Sequence, residues 1–168
     1  MNEACHHEDG VHPGLKGQAL RHAMGAAETR CVETQERLTA PRRRVLQLLL
    51  ESDAPLKAYD LIAAFGETGE PAKPPTVYRA LEFLLDAGLI HRIDSLNAFI
   101  GCETPEARHA GQFLVCRTCN RVTELDDPSI SKLLEKKAKD AGFMADAQTI
   151  EIKDLCSDCH AHGGKGSS

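Results

Sequence analysis

The 168-residue sequence contains no apolar run approaching the ~18 residues that a membrane-crossing helix needs, which argues against a helical span. It also lacks a secretory start. The opening Met1-Asn2-Glu3-Ala4-Cys5-His6-His7-Glu8-Asp9 carries acids and histidines where a signal peptide carries a basic residue and an apolar stretch, so a cytoplasmic protein is expected. Excess positive charge is missing as well: the net charge is -5 and the pI is about 5.9. A non-specific coat for nucleic acid needs clustered Lys and Arg to neutralise phosphate, and that class is disfavoured. The charge is uneven, however. Leu15 to Arg92 holds 11 basic and 10 acidic side chains, against 9 basic and 12 acidic from Ile93 to Ser168. The first half therefore leaves room for a local contact surface. An active-site zinc helix of the His-Glu-x-x-His type is also absent, which counts against a metallohydrolase.

The chain is long enough for one medium domain or two small ones. Residues 1–14 and 161–168 are rich in Gly, His and polar groups and read as loose tails. Between them the periodicity predicts a helix from about Leu15 to Gln35 and a second after Pro41, with Thr39 as its cap and Val45, Leu46, Leu49 and Leu50 on one face. A third covers Tyr59 to Phe65. A fourth runs from Pro74-Pro75 to a left-handed stop at Gly88, with Val77, Leu81, Leu84 and Leu85 as the buried stripe. Thr76, Tyr78, Arg79 and Glu82 then lie on or beside its outer face. Two short apolar runs, Leu89 to Ile93 and Ala98 to Ile100, flank a turn-like Asp94-Ser95-Leu96-Asn97. Three helices, the last with polar groups outward, and then a hairpin is the order of a winged helix-turn-helix. A small helical domain that binds protein through the same surface would read alike. Beyond Ala110 the pattern becomes strands at Gln112 to Val115 and Arg121 to Leu125, a helix from Ser129 to Ala141 and a strand from Gln148 to Ile152. The fold class expected is α+β: a winged helix-turn-helix domain over residues 15–101, then a small α/β domain over residues 102–160 whose sheet edges suit pairing in a homodimer.

Seven cysteines cannot all pair, and in a reducing compartment unpaired thiols point to metal, catalysis or core. Four of them form two pairs, Cys116-Arg117-Thr118-Cys119 and Cys156-Ser157-Asp158-Cys159. Four thiolates so spaced can close around a tetrahedral structural zinc that keeps no open position for chemistry. A redox dithiol or buried free thiols are the other readings; a redox pair should open a helix, and neither pair clearly does so in the sequence. A looser set, His91, Cys102, His109 and Glu124, is ambiguous by spacing. His91 could be a surface wing residue, Cys102 a small core residue and Glu124 a solvated carboxylate. Cys31 falls in the first helix as a buried small residue, and His6, His7 and His12 with Cys5, and His160 with His162, read either as weak metal sites or, more often for such tails, as solvated groups.

At Leu38-Thr39-Ala40-Pro41-Arg42, Ala58-Tyr59-Asp60-Leu61, Lys73-Pro74-Pro75-Thr76-Val77-Tyr78-Arg79-Ala80-Leu81 and the Cys116/Cys119 pair with Glu124 five positions on, the sequence resembles the ferric uptake regulator family, in its zinc uptake branch. The resemblance covers roughly Leu38 to Cys159. It implies a winged-helix half, a dimerisation half and two zinc ions per subunit: a structural one at Cys116, Cys119, Cys156 and Cys159, and a sensory one held by His91, Cys102, His109 and Glu124. Iron and peroxide sensors of the family carry a histidine-rich run before the first cysteine pair. Here there is one histidine, and Cys102 supplies a thiolate, a donor set that suits zinc better than iron or manganese. The resemblance also implies contacts with double-stranded promoter DNA. Arg79 is expected to reach a guanine edge, whereas Tyr59 and Tyr78 are either DNA contacts or packing residues. Thr76 shares the outer face, and Arg42, Arg43, Arg44, Lys57 and Lys73 are candidates for phosphate. One sensory ion with ligands from both halves would clamp them so that a dimer holds two recognition helices roughly 34 Å apart, making zinc a corepressor of zinc-uptake genes. Sensing of iron or manganese, or a zinc-stabilised protein-interaction module, is the alternative; neither an enzyme nor a small-molecule substrate is expected.

Overall fold

The computed structural model describes residues 14–66, 73–102, 111–125, 127–144 and 149–161, which fall into two compact units. The first unit holds α1 (Gly17–Glu33), α2 (Ala40–Glu51), α3 (Ala58–Gly66), α4 (Pro74–Asp86), β1 (Ile90–Ile93) and β2 (Ala98–Gly101). The stripe on α2 is buried as its spacing requires, with Val45, Leu46, Leu49 and Leu50 all in the core. Thr39 occupies the N-cap position, but its side chain makes no capping bond; Pro41 in the first turn supplies the start. On α4 the buried set is Val77, Ala80, Leu81 and Leu84. Leu85 is only half-buried, since eight residues at 3.6 per turn carry it about 80° around the helix from Val77, whereas Ala80 stays within the stripe.

Helix ends in this unit are closed by backbone bonds. After α4 the Leu89 amide donates to the Leu84 carbonyl and the Gly88 amide to Leu85, both at 2.9 Å, with Gly88 at φ +66°. This is the paired-bond stop that favours a residue without Cβ. The Ala87 carbonyl accepts Arg30 Nε at 2.6 Å, tying α1 to the same corner. The hairpin turn is a single 3-10 turn, Asp94–Leu96, closed by Asn97 in the left-handed region. Behind it, Leu56 and Phe99 exchange two backbone bonds of 2.9 and 2.8 Å, so the segment before α3 adds a bridge to β2 and braces the wing.

The second unit comprises β3 (Gly111–Cys116), β4 (Val122–Glu124), α5 (Pro128–Asp140), β5 (Thr149–Asp154) and α6 (Ser157–Ala161). The strand order is β4-β3-β5, with β3 antiparallel to β4 and parallel to β5. A parallel neighbour needs a crossover, which α5 provides. The Asp127 side chain caps α5 by accepting the Ser129 amide at 2.8 Å, and the buried Gln112 on β3 donates to the Asp127 carbonyl at 2.9 Å and the Ser131 hydroxyl at 2.8 Å. These bonds pin the start of α5 to the sheet. Among the described residues of this unit apolar burial is sparse: Phe113, Val115 and Val122 are enclosed with Cys116 and Cys159, whereas α5 has no buried residue and leaves Leu133 and Leu134 exposed. α6 was not anticipated by periodicity, because five residues give too few turns to show one. Among the described residues no helix is long and apolar enough to cross a membrane.

Substituting Gly88→Ala is expected to destabilise the first unit by about 1–2 kcal/mol, because a Cβ is disfavoured at a positive φ. Chemical denaturation followed by far-UV circular dichroism checks this; an unchanged midpoint would mean that the corner relaxes freely.

Candidate metal centre and nucleic-acid interface

Parallel pairing in register sets Cys116, the last residue of β3, beside Asp154, the last residue of β5. Both strands therefore end at the same edge, and the two cysteine pairs emerge next to each other. After β3 the chain makes a tight knuckle: the Asn120 amide donates to the Cys116 carbonyl at 3.0 Å, the Cys116 amide to the Arg121 carbonyl at 2.8 Å, and Asn120 takes φ +59°. After β5 the chain turns into α6, with Cys156 just ahead of it and Cys159 within it. Spacing carries no clear sign that either pair opens a helix; the second one does. Its thiols nonetheless face those of the first pair.

The four sulfur atoms lie within 4.8 Å of one another, and Cys119 Sγ and Cys156 Sγ are 3.8 Å apart. A tetrahedron with zinc–sulfur bonds of about 2.3 Å has sulfur–sulfur edges of about 3.8 Å, so the cluster fits a single zinc ion. Cys116 and Cys159 are buried, Cys156 is half-buried and Cys119 is exposed. Burial raises the Cys116 thiol, but amide hydrogen bonds from Cys119, Cys156 and Thr118 outweigh it and bring the group down to about 6. The Cys156 amide approaches Cys116 Sγ at 3.4 Å. Burial and the neighbouring sulfurs push Cys159 well up, and burial raises Cys119. One thiolate is thus favoured near neutral pH, whereas these two thiols would have to release protons to ligate a zinc ion. Two knuckle cations add ties: Arg121 Nη1 meets Asp158 Oδ2 at 3.1 Å, and Arg117 Nη2 lies 3.6 Å from Asp154 Oδ1.

The other proposed quartet is described only in parts. His109 lies outside the described residues. Glu124, half-buried, ends β4 in the second unit, opposite Phe113. His91 and Cys102 belong to the first unit. His91 pairs with Ile100 across the hairpin, and the Cys102 amide donates to the Leu89 carbonyl at 3.0 Å, which extends the same register by one pair. His91 and Cys102 therefore share a face as diagonal cross-strand neighbours, within about 7–8 Å, a separation that two ligands of one ion can bridge. Cys102 is buried and His91 half-buried.

On the winged helix, Tyr59 is 78% exposed and Tyr78 52%, so neither is a core residue. Arg79 and Glu82 are exposed beside them and Thr76 is half-buried. Pro74 and Pro75 occupy the first helical positions of α4, and the Thr76 amide bonds the Lys73 carbonyl at 2.8 Å. Among the arginines read as phosphate candidates, Arg42 is engaged within the fold. Its guanidinium stacks 3.4 Å from the Phe83 ring centroid and donates to the Arg37 carbonyl at 2.7 Å. Arg43 pairs with Glu28. An i, i+1 basic run does not disclose which of its members faces a neighbouring helix, and that is why these roles are invisible in the sequence.

A winged helix in one chain with a four-thiolate α/β unit defines a metal-dependent DNA-binding protein. The Ferric uptake regulator family matches residues 33–153, and the chain belongs to that family. It is 34% identical over 146 residues to the zinc uptake regulation protein of Escherichia coli K12, covering 86% of this chain and 85% of that protein. The fold is similar to that of a zinc uptake regulator solved with zinc and DNA, at 32% identity and a TM-score of 0.80, covering 89% of this chain and all of the other. It is also similar to holo XcZur, at 41% identity and a TM-score of 0.74, covering 82% of this chain and 96% of that one.

Because the second unit encloses so little apolar surface, zinc removal under reducing conditions is expected to melt it while the first unit keeps its helical signal. Calorimetry of the chelated protein should then show the transition of the first unit and lose that of the second; chelation without any thermal change would sink this expectation. Zinc affinity should also fall as pH is lowered, because the raised Cys119 and Cys159 thiols must give up their protons to ligate. A chelator competition showing no pH dependence between about pH 6 and 8 would contradict the donor assignment.

Proposed function

We propose that the chain is a zinc-responsive transcriptional repressor of zinc-uptake genes that binds double-stranded promoter DNA as a homodimer. The observation that carries this reading is the fold similarity, over 89% of the chain, to a zinc uptake regulator solved with both zinc and DNA. The protein is a transcription regulator and not an enzyme, acting in the cytoplasm where its DNA is. Residues 15–101 form the DNA-binding domain and residues 102–160 the metal-binding dimerisation domain, with tails at 1–14 and 161–168. Each subunit holds two zinc ions. The structural ion sits on Cys116, Cys119, Cys156 and Cys159, supported by the convergence of their sulfurs. The sensory ion sits on His91, Cys102, His109 and Glu124, supported by the shared hairpin face of His91 and Cys102. One sulfur, two nitrogens and a carboxylate favour zinc over iron or manganese.

Zinc in the sensory site supplies a fixed positive centre to which ligands from both domains are drawn. Each ligand residue contributes orientation: the hairpin register holds His91 and Cys102 on one face, while β4 pairing and the Gln112 bonds hold the segment bearing Glu124. Fixing the two domains favours the spacing at which paired recognition helices enter successive major grooves. A tenfold gain in DNA affinity requires about 1.4 kcal/mol of preference for that arrangement. Arg79 reads a guanine edge through its two-pronged guanidinium, and Tyr59, Tyr78 and Thr76 contact bases or backbone beside it.

The test is binding to the promoter of a zinc importer from the same genome, with free zinc buffered and salt held constant. Wild-type binding should rise with zinc, Cys102→Ser should lose that dependence, and Arg79→Ala should weaken zinc-loaded binding by ~10–100-fold. Equal wild-type binding with the sensory site empty and the structural site filled would overturn the switch. Unchanged affinity in Arg79→Ala would turn the reading toward a protein-interaction module.

A further inference from the structure

The ion pair between Arg121 and Asp158 has a position that its chemistry alone does not require. Arg121 follows the first cysteine pair by two residues, and Asp158 lies between the two cysteines of the second pair. The contact therefore joins the two knuckles directly. It is well enclosed for an ion pair, with side chains 14% and 22% exposed at a separation of 3.1 Å. The nearby Arg117–Asp154 pair is longer and its partners are 45% and 79% exposed, so solvent screening leaves it little force. Both partners of the enclosed pair are also fixed at the backbone. The Arg121 carbonyl accepts the Cys116 amide, which sets the arginine relative to the first sulfur. Asp158 is in the first turn of α6, held by the His160 amide donating to the Cys156 carbonyl at 2.9 Å.

Four thiolates around a divalent cation carry a net charge of two minus. A carboxylate beside such a centre is unfavourable unless a cation faces it, and Arg121 is that cation. We propose that Arg121 and Asp158 are positioning residues of the four-thiolate centre: their ion pair holds the two cysteine pairs at ligating separation and slows the loss of zinc. The roles are unequal. Removing Arg121 takes away the cation paired with Asp158, a carboxylate next in sequence to a ligand, whereas removing the charge of Asp158 keeps the positive charge of Arg121 beside the anionic centre. Truncation of the arginine is therefore the more damaging change. The inference rests on the four-cysteine zinc reading and is independent of the sensory site and of DNA binding.

The test uses the full-length zinc-loaded dimer under reducing conditions, with zinc transfer to an excess of a chromophoric chelator followed in time. Partners just outside a metal's ligand set commonly alter affinity by ~10–100-fold, and Arg121→Gln is expected to speed release of the slowest zinc by at least roughly tenfold. Asp158→Asn should have a smaller effect, Arg121→Lys should retain most of the wild-type rate, and the exchanged pair Arg121→Asp with Asp158→Arg should release zinc more slowly than Arg121→Asp alone. The charge-transfer spectrum of each cobalt-substituted variant should match wild type, which separates a change in positioning from a lost ligand or a failure to fold. Wild-type release rates in Arg121→Gln, or no recovery in the exchanged pair, would overturn the proposal. A wild-type protein with no slowly released zinc, or one whose slow zinc survives Cys116→Ser, would instead sink the four-cysteine reading itself.

Discussion

The parallel pairing of β3 with β5 is the constraint on which the second unit depends. Because the two strands run in the same direction and in register to their last residues, the chain leaves both of them at one edge, and four cysteines from two distant segments converge. An antiparallel partner in place of β5 would send the second pair to the opposite end of the sheet. The crossover helix that makes parallel pairing possible has its start tied to β3 by Gln112, so the buried amide, the helix cap and the metal centre form one connected arrangement. Little apolar surface lies behind it. For this unit, zinc coordination by the four cysteines is the proposed counterpart of the hydrophobic core in the first.

The first unit is organised in the opposite way. Its interior is a continuous cluster from α1, α2 and α4 with Leu61 of α3 and the wing strands, and polar groups enter mainly at corners, where they satisfy helix ends. Arg30 closes the end of α4, and Arg42 covers the ring of Phe83. Both arginines serve packing while retaining charge, as long cationic side chains can when their stems lie along apolar surface.

Much of this is legible in the amino-acid sequence, for identifiable reasons. Helices of 9 to 17 residues display their periodicity, and α1 to α5 fall within a few residues of where the pattern puts them. Gly88 marks the end of α4 because few other residues accept its backbone angles. The four cysteines are visible as spacing, although their convergence follows from strand direction, which spacing does not encode. What stays hidden depends on contacts between distant segments. The bridge between Leu56 and Phe99, the Arg42 stacking and the Arg121–Asp158 pair each join residues whose proximity arises only on folding. The short α6 falls below the length at which a repeat can be recognised.

The two prolines that open α4 have a consequence for how the helix meets a charged surface. Free amides at a helix start ordinarily form a backbone seat for an anion. Here the first two positions have no N–H to offer, and the third is already bonded to the Lys73 carbonyl. The first three positions of α4 therefore offer a phosphate no free amide. In the proposed complex with DNA the hold of this helix falls chiefly to side chains, so the steepness with which salt weakens binding reflects the lysines and arginines engaged.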